Sequence, residues 1–156
     1  MNRILGIDPG VTATGYGIIE NDSVLTIGVI RPSPRFSLQE KLYRIFINLK
    51  EILDRWRPDV AVMEEVIYHR NVKSALSLGA ARGVVLVALR EAGVPVQEIS
   101  PTTLKLSVTG NGRASKSQVA FMVGQLLKLD VEGVPDHITD ALACALSFKR
   151  TKGVKP

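Results

Sequence analysis

Four residues, Asp8, Glu64, His137 and Asp140, have the types and the placement for metal-dependent chemistry. Asp8 closes the apolar run "ILGID" just before a Pro-Gly turn, and Glu64 stands near the end of "VAVMEE". A carboxylate at the end of a buried strand is costly unless it is paired or bound to a cation, and ligand sites favour the carboxyl ends of strands. His137 and Asp140 stand three residues apart in "PDHITDALACAL". At about 100° per residue they lie roughly 60° apart, on one helical face. The small Ala141 and Cys144 continue that face and leave room for the helix to sit close to a sheet, while Ile138, Leu142 and Leu146 form a neighbouring apolar stripe. Three carboxylates cannot crowd a dry site without a counter-cation, and an oxygen-rich set suits Mg²⁺, with Mn²⁺ able to substitute. Two such ions about 3.5–4 Å apart activate a water and stabilise a leaving oxygen in phosphodiester cleavage. Each residue also has a plainer reading. Asp-Pro-Gly is a common turn, acids at strand ends are usually solvated, and a first-turn histidine is more often a surface or core residue than a ligand. An acid in a first turn also complements the helix dipole. Order, spacing and fold decide between the two readings.

The hydrophobic periods predict the elements that position these residues. Strands are expected at Arg3–Asp8, Gly15–Glu20 and Ser23–Arg31, with a turn at Asn21-Asp22, as an antiparallel meander. Ser37 caps a helix through Trp56, with Leu38, Leu42, Ile45 and Leu49 at helical spacing. A strand in "VAVMEE", a helix from Val72 to Ala92 stopped by Gly93 and a strand in "VPVQEI" follow. Ser100-Pro101 opens a short helix, Lys116 to Leu129 forms another, and Asp136 caps a last one to Lys149. This order predicts an α/β fold, a mixed five-stranded sheet with helices on its faces. Residues 1–149 read as one domain and 150–156 as a disordered tail.

Composition bounds the function. Of 156 residues, 46% are hydrophobic and 22% charged, a globular balance. No apolar run reads as long enough to cross a membrane, and "MNRILGID" is too short a stretch for a leader. The single Cys144 excludes a disulfide framework and a cysteine zinc site. A cytoplasmic protein is expected, and the net charge of +5 favours a polyanion partner. "YHRNVKS" and "NGRASKS" put Arg70, Lys73, Arg113 and Lys116 in two loops able to follow a phosphate backbone. Lys116 opens a helix, where the dipole disfavours a cation unless a phosphate partner is present. Lys105, among apolar neighbours in "TTLKLS", is either a core-edge lysine or a functional contact.

The helix from Val72 carries a second pattern. Ala75, Gly79 and Gly83 form a small stripe, with Leu76, Ala80, Val84 and Val87 beside it. Two glycines inside a helix lower its stability, so the close approach of another backbone is expected there. A helix apolar nearly all round is covered on both sides. The sheet covers one side and a second copy the other, or the sheet alone accounts for the stripe.

Taken together, "ILGIDPG…TGYG", "MEEV…N…SALSLGAARGV", "VTGNGRASKSQV" and "DHITDALACAL" resemble the RuvC-type Holliday junction resolvases over nearly the whole chain. These are a bacterial branch of the RNase H-like nucleases. The resemblance implies an RNase H-like fold, a homodimer, dependence on Mg²⁺ with two ions per subunit, and paired symmetric nicking of four-way junction DNA in recombination and repair. A branch-migration motor complex of the RuvA-RuvB type is an implied partner. Asp8, Glu64, His137 and Asp140 fall on the family's four metal-binding catalytic positions, the third being an aspartate in some members. Lys105 and Lys116 match lysines near the DNA and the active site. Some members carry a stacking phenylalanine three residues after the glutamate. Here that position is Ile67, and Tyr68 is the nearest aromatic face. An RNA-directed RNase H-like nuclease gives no strong reason for the glycine-striped helix. A non-catalytic DNA-binding module has no need of four convergent ligands. Actin-like ATPases and sugar kinases share the Asp-x-Gly turn but need a second domain.

Overall fold

A computed structural model describes residues 3–67 and 71–153. Strands β1 (Arg3–Asp8), β2 (Thr14–Glu20) and β3 (Ser23–Ile30) form the antiparallel meander. Asn21 and Asp22 take φ of 49° and 66° between β2 and β3, the positive pair that a tight two-residue hairpin turn requires. On the other side of β1, β4 (Val60–Glu64) pairs in parallel, and β5 (Val96–Ile99) pairs in parallel with β4. The order β3-β2-β1-β4-β5 is the mixed five-stranded sheet that the periods predict. The helices are α1 (Leu38–Trp56), α2 (Val72–Glu91), α3 (Pro101–Thr109), α4 (Lys116–Leu127) and α5 (Asp136–Gly153).

Successive strand residues face opposite sides of the sheet, and this divides the core in two. Leu5, Ile7, Ile18, Ala61 and Met63 meet Ile45 and Leu49 of α1 and Val85 and Leu89 of α2. Ile4, Ile19 and Val62 meet α3, α4 and α5, through Leu104, Val123, Leu142 and Leu146. Asp8 shares the parity of Ile4, and Glu64 that of Val62, so both acids belong to the α5 face. Two glycines bring α5 down onto that face. A Cβ on Gly6 would stand 1.7 Å from the Ala141 carbonyl oxygen, and one on Gly15 would stand 2.1 Å from that of His137. Ala141 is fully buried there, in line with the small face expected of this helix.

Several expectations need correction. Of residues 150–156, expected as a disordered tail, 150–153 form the last turn of α5 and 154–156 lie outside the described residues. Arg150 Nε donates to the Ser107 carbonyl at 2.7 Å, and the Thr151 hydroxyl to that of Ser147 at 3.0 Å. Asp136 is the first residue of α5 rather than its cap. The Pro135 carbonyl accepts from the Ile138 amide at 2.9 Å. Helix α4 stops at Leu127 because Lys128 turns left-handed. Helix α2, at 20 residues and a mean hydropathy of 1.6, has the length and apolarity of a membrane span, contrary to the expectation that no run does. Its place in the fold accounts for part of that apolarity: Ala81, Val85, Ala88 and Leu89 are buried. Among the described residues, only one side is covered. Leu76 is 71% and Val87 59% exposed, and a Cβ on Gly79 or Gly83 would meet nothing within 4 Å. Close approach to the sheet therefore does not explain these glycines.

Candidate active site

β1 and β4 run side by side in parallel, with Gly6 opposite Val62. Two residues beyond that last pair, β1 ends at Asp8 and β4 at Glu64, so both acids stand at the carboxyl ends of neighbouring strands. The first turns of α5 lie across them. Asp8, Glu64 and Asp140 line one cavity, together with Cys144. Glu64 and Asp140 also line a neighbouring cavity with Lys105 and Lys116. His137 Nδ1 donates to Asp8 Oδ2 at 2.9 Å. An ionised carboxylate only accepts, so Nδ1 carries the proton in this bond, and in the neutral imidazole Nε2 is then the acceptor nitrogen. Lys116 Nζ stands 3.0 Å from Asp140 Oδ2 and 3.6 Å from Asp136 Oδ2. The cation that looked misplaced at the start of α4 thus has carboxylate partners on α5.

The acids disturb one another. Burial, first, and then the Asp140 charge push the Asp8 carboxyl above its usual range, against the pull of the His137 hydrogen bond and Lys116. Glu64 is exposed as a residue but lines both cavities. Its carboxyl is also raised, by burial and then by Asp140 and Asp8, with Lys105 and Lys116 opposing. The hydrogen bond to Asp140 holds the Lys116 ammonium charged to higher pH than usual. Beneath them the buried Cys144 thiol is pushed well above its usual range, by burial and then by Glu64, Asp8 and Asp140. It is a packing residue next to anions, not a nucleophile.

Such a set suits a hard divalent cation. Three carboxylates and an imidazole make an oxygen-rich donor set, and two of the carboxylates resist ionisation, first through burial and then through their acidic neighbours. Among the described residues no three His, Cys, Asp or Glu side chains already stand close enough to enclose an ion. Asp8 is tied to His137 and Asp140 to Lys116, and like charges hold the carboxylates apart. Asp8, Glu64, His137 and Asp140 therefore fit a metal of the Mg²⁺ class through the chemistry of the donors.

The other anticipated residues are less concentrated. Lys105 and Lys116 lie at the acids. Arg113 is exposed in the turn before α4, and Lys73 is exposed in the first turn of α2. Neither lines the two acid cavities. Tyr68 and Arg70 lie outside the described residues. Ile67, 60% exposed, lines the cavity of Asp8 and Glu64 together with Val66. Gly79, Gly83 and Val87 border an apolar groove with Leu42, Tyr43 and Phe46 of α1, and Ala75 lies half-buried one turn earlier. Sequence reasoning missed Arg82, which lines the acid cavity. The available signal was its isolation, as the one charged residue between Lys73 and Arg90 in an apolar helix.

Known proteins share this arrangement of chain. The family described as Crossover junction endodeoxyribonuclease RuvC matches residues 4–148. A protein of that name from Halorhodospira halophila is 45% identical over 149 residues, covering 94% of this chain and 89% of its own. Another from Dictyoglomus thermophilum is 40% identical over 149 residues, 93% of this chain and 94% of its own. Among solved structures, T. thermophilus RuvC in complex with Holliday junction substrate superposes with a TM-score of 0.89 at 36% identity, over 100% of this chain and 99% of that one.

Proposed function

The chain belongs to the RuvC family of crossover junction endodeoxyribonucleases, and from that premise we propose that it resolves four-way DNA junctions by hydrolysing phosphodiesters at the acid cluster. The fold is RNase H-like, as in the RuvC structures it matches. The observation that carries the proposal is the meeting of Asp8, Glu64 and Asp140 in one cavity, with Lys105 and Lys116 in the next. Carboxylates alone would repel a DNA backbone. Carboxylates able to take up divalent cations, flanked by two lysines, receive one.

In this reading Asp8, Glu64 and Asp140 hold Mg²⁺, with His137 as the fourth donor. The chemistry two such ions supply when bound is activation of a water and stabilisation of the leaving oxygen. His137 orients Asp8 through its Nδ1 hydrogen bond and keeps Nε2 as a free donor atom. Lys116 neutralises Asp140 until cations and DNA arrive, and then offers its ammonium to a phosphate. Lys105, on the Glu64 side, does the same. A second copy covers the open face of α2 around Gly79, Gly83 and Val87, giving a two-fold dimer with two sites for two like strands and hence paired symmetric nicks. The surroundings proposed are cytoplasmic, and a branch-migration motor is a proposed partner.

Incubation with labelled four-way DNA, linear duplex and structured RNA, with and without Mg²⁺, tests the reading. Symmetric nicks in the four-way DNA that require Mg²⁺ are expected. Preferential cutting of RNA, or equal cutting of linear duplex, would overturn it.

A further inference from the structure

We infer that Arg82 is a positioning residue for Glu64: its guanidinium satisfies the carbonyl at the end of β4 and so sets where the Glu64 carboxylate stands. The inference deepens the nuclease reading and rests on it for the role of Glu64.

The argument starts from the sheet ladder. The Ala61 amide donates to Pro95 at 2.9 Å and the Glu65 amide to Ile99 at 2.8 Å, so the odd-numbered residues of β4 turn their backbone groups to β5. Glu64, between them in parity, turns its groups toward β1. Gly6 opposite Val62 is the last β1–β4 pair; were the ladder continued, the β1 residue that would donate to the Glu64 carbonyl is the one just past Asp8. That residue is Pro9, which has no N–H. A backbone acceptor left without a partner at the edge of a site is unfavourable. Arg82 fills the gap, with Nη1 donating to the Glu64 carbonyl oxygen at 3.0 Å. Its Nη2 pairs with the Glu98 carboxylate on β5. The Arg82 side chain is only 13% exposed, and it lines the cavity of Asp8, Glu64 and Asp140. A planar, forked, permanently charged donor is the side chain suited to bridging a carbonyl and a carboxylate at once.

Beyond Glu64 the chain leaves the sheet, with residues 65–67 outside any strand or helix. The peptide after Glu64 is thus held at both ends, by the Glu65 amide on Ile99 and by Arg82 on the Glu64 carbonyl, and the direction of the Glu64 side chain follows from that peptide. The Arg82 contact is made from α2, the helix whose outer face is open to a second copy.

Substituting Arg82→Gln in the full-length protein tests the inference. Mn²⁺ binding to the protein alone is measured by calorimetry, and amide exchange of residues 62–67 by mass spectrometry. Single-turnover cleavage of a four-way junction in Mg²⁺ is compared with junction binding in chelator. Half-saturation by Mn²⁺ should rise, and the cleavage rate fall, by about 10–100-fold, the usual effect of losing a group that orients a ligand. Exchange in 62–67 should quicken, while junction binding in chelator changes by less than about twofold. Unchanged Mn²⁺ binding and exchange would overturn the inference. So would weaker junction binding with a shallower salt dependence and unaltered Mn²⁺ binding, which would make Arg82 a phosphate contact. Should Arg82→Gln fail to fold, Glu98→Gln releases only the second arm. It should move the same readouts in the same direction by a few-fold, and no movement would again overturn the inference. If the parent protein does not cleave four-way DNA, the nuclease reading fails, while exchange and Mn²⁺ binding still decide the role of Arg82.

Discussion

Gly15→Ala should damage activity far more than stability. Gly15 pairs with Asp8 across β1 and β2, and the His137 backbone rests on it. The added Cβ would fall 2.1 Å from the His137 carbonyl oxygen, 2.4 Å from its carbon and 2.7 Å from its Cβ. Ordinary contact begins near 3.4 Å, so the start of α5 must retreat by about 1.3 Å (3.4 less 2.1). The neighbours are backbone and a Cβ and cannot swing aside. Overpacking of this kind destabilises by about 1–3 kcal/mol. A domain with about 5 kcal/mol of stability would keep about 2, leaving roughly 3% unfolded. A displacement of about 1 Å at reacting groups lowers rate by roughly a hundredfold, and the start of α5 carries both His137 and Asp140.

Gly17→Ala is the matched control. Its Cβ would meet Leu142 Cδ2 at 2.5 Å, the far end of a side chain in the core. It should lower stability by a similar or smaller amount, about 1–2 kcal/mol, and leave cleavage within about threefold of the parent. The assay is denaturant unfolding beside single-turnover junction cleavage at 25 °C. Equal cleavage by the two variants at equal stability would refute the idea that contact between Gly15 and His137 sets the site.

Other expectations follow from the same geometry. Asp8→Asn, Glu64→Gln and Asp140→Asn should each abolish nicking while junction binding in chelator persists, and near-parental cleavage by any of them would remove that residue from the mechanism. The Asp8 and Glu64 carboxyls are raised, chiefly by burial, so their contribution favours the fold below the ordinary 3.8 and 4.5 and is lost as pH rises through the raised values. In chelator at pH 7, Asp8→Asn and Glu64→Gln should therefore melt above the parent, with the gap closing as pH falls toward 4. A gap constant across that range would refute the sign, and Mg²⁺ should raise the parent's melting point more than either variant's. Lys105→Ala, Arg113→Ala and Lys116→Ala should each reduce the salt slope of junction binding by about one, with Arg113→Ala sparing the cleavage step; unchanged slopes would place all three off the DNA. A Cβ at Gly83 meets nothing within 4 Å among the described residues, so Gly83→Leu should leave the melting point of the subunit near the parent's but shift sedimentation from dimer to monomer, and an active monomeric parent would rule the dimer out.

What could be read in the sequence was whatever depends on local period. The parity of Asp8 and Glu64, the capping serines and the meander turn all follow from residues a few positions apart. The last turn of α5 was misjudged because its hold is distant: Arg150 reaches the carbonyl of Ser107, and no local pattern reports a bond across 43 positions. The glycines of β1 and β2 were legible as glycines but not as the floor under α5, since a strand glycine equally marks a bulge or a ligand. Two glycines on α2 had two explanations, and only the empty space beside them separates the sheet from a second copy. Pro9 is the clearest case of meaning that needs the register. In sequence it is half of a turn signal. Were the β1–β4 ladder continued past Gly6 and Val62, the same ring would leave the Glu64 carbonyl without an amide, and Arg82 of α2 donates there instead. A proline thus follows the end of one catalytic strand while an arginine caps the carbonyl that ends the other, and neither residue carries the chemistry itself.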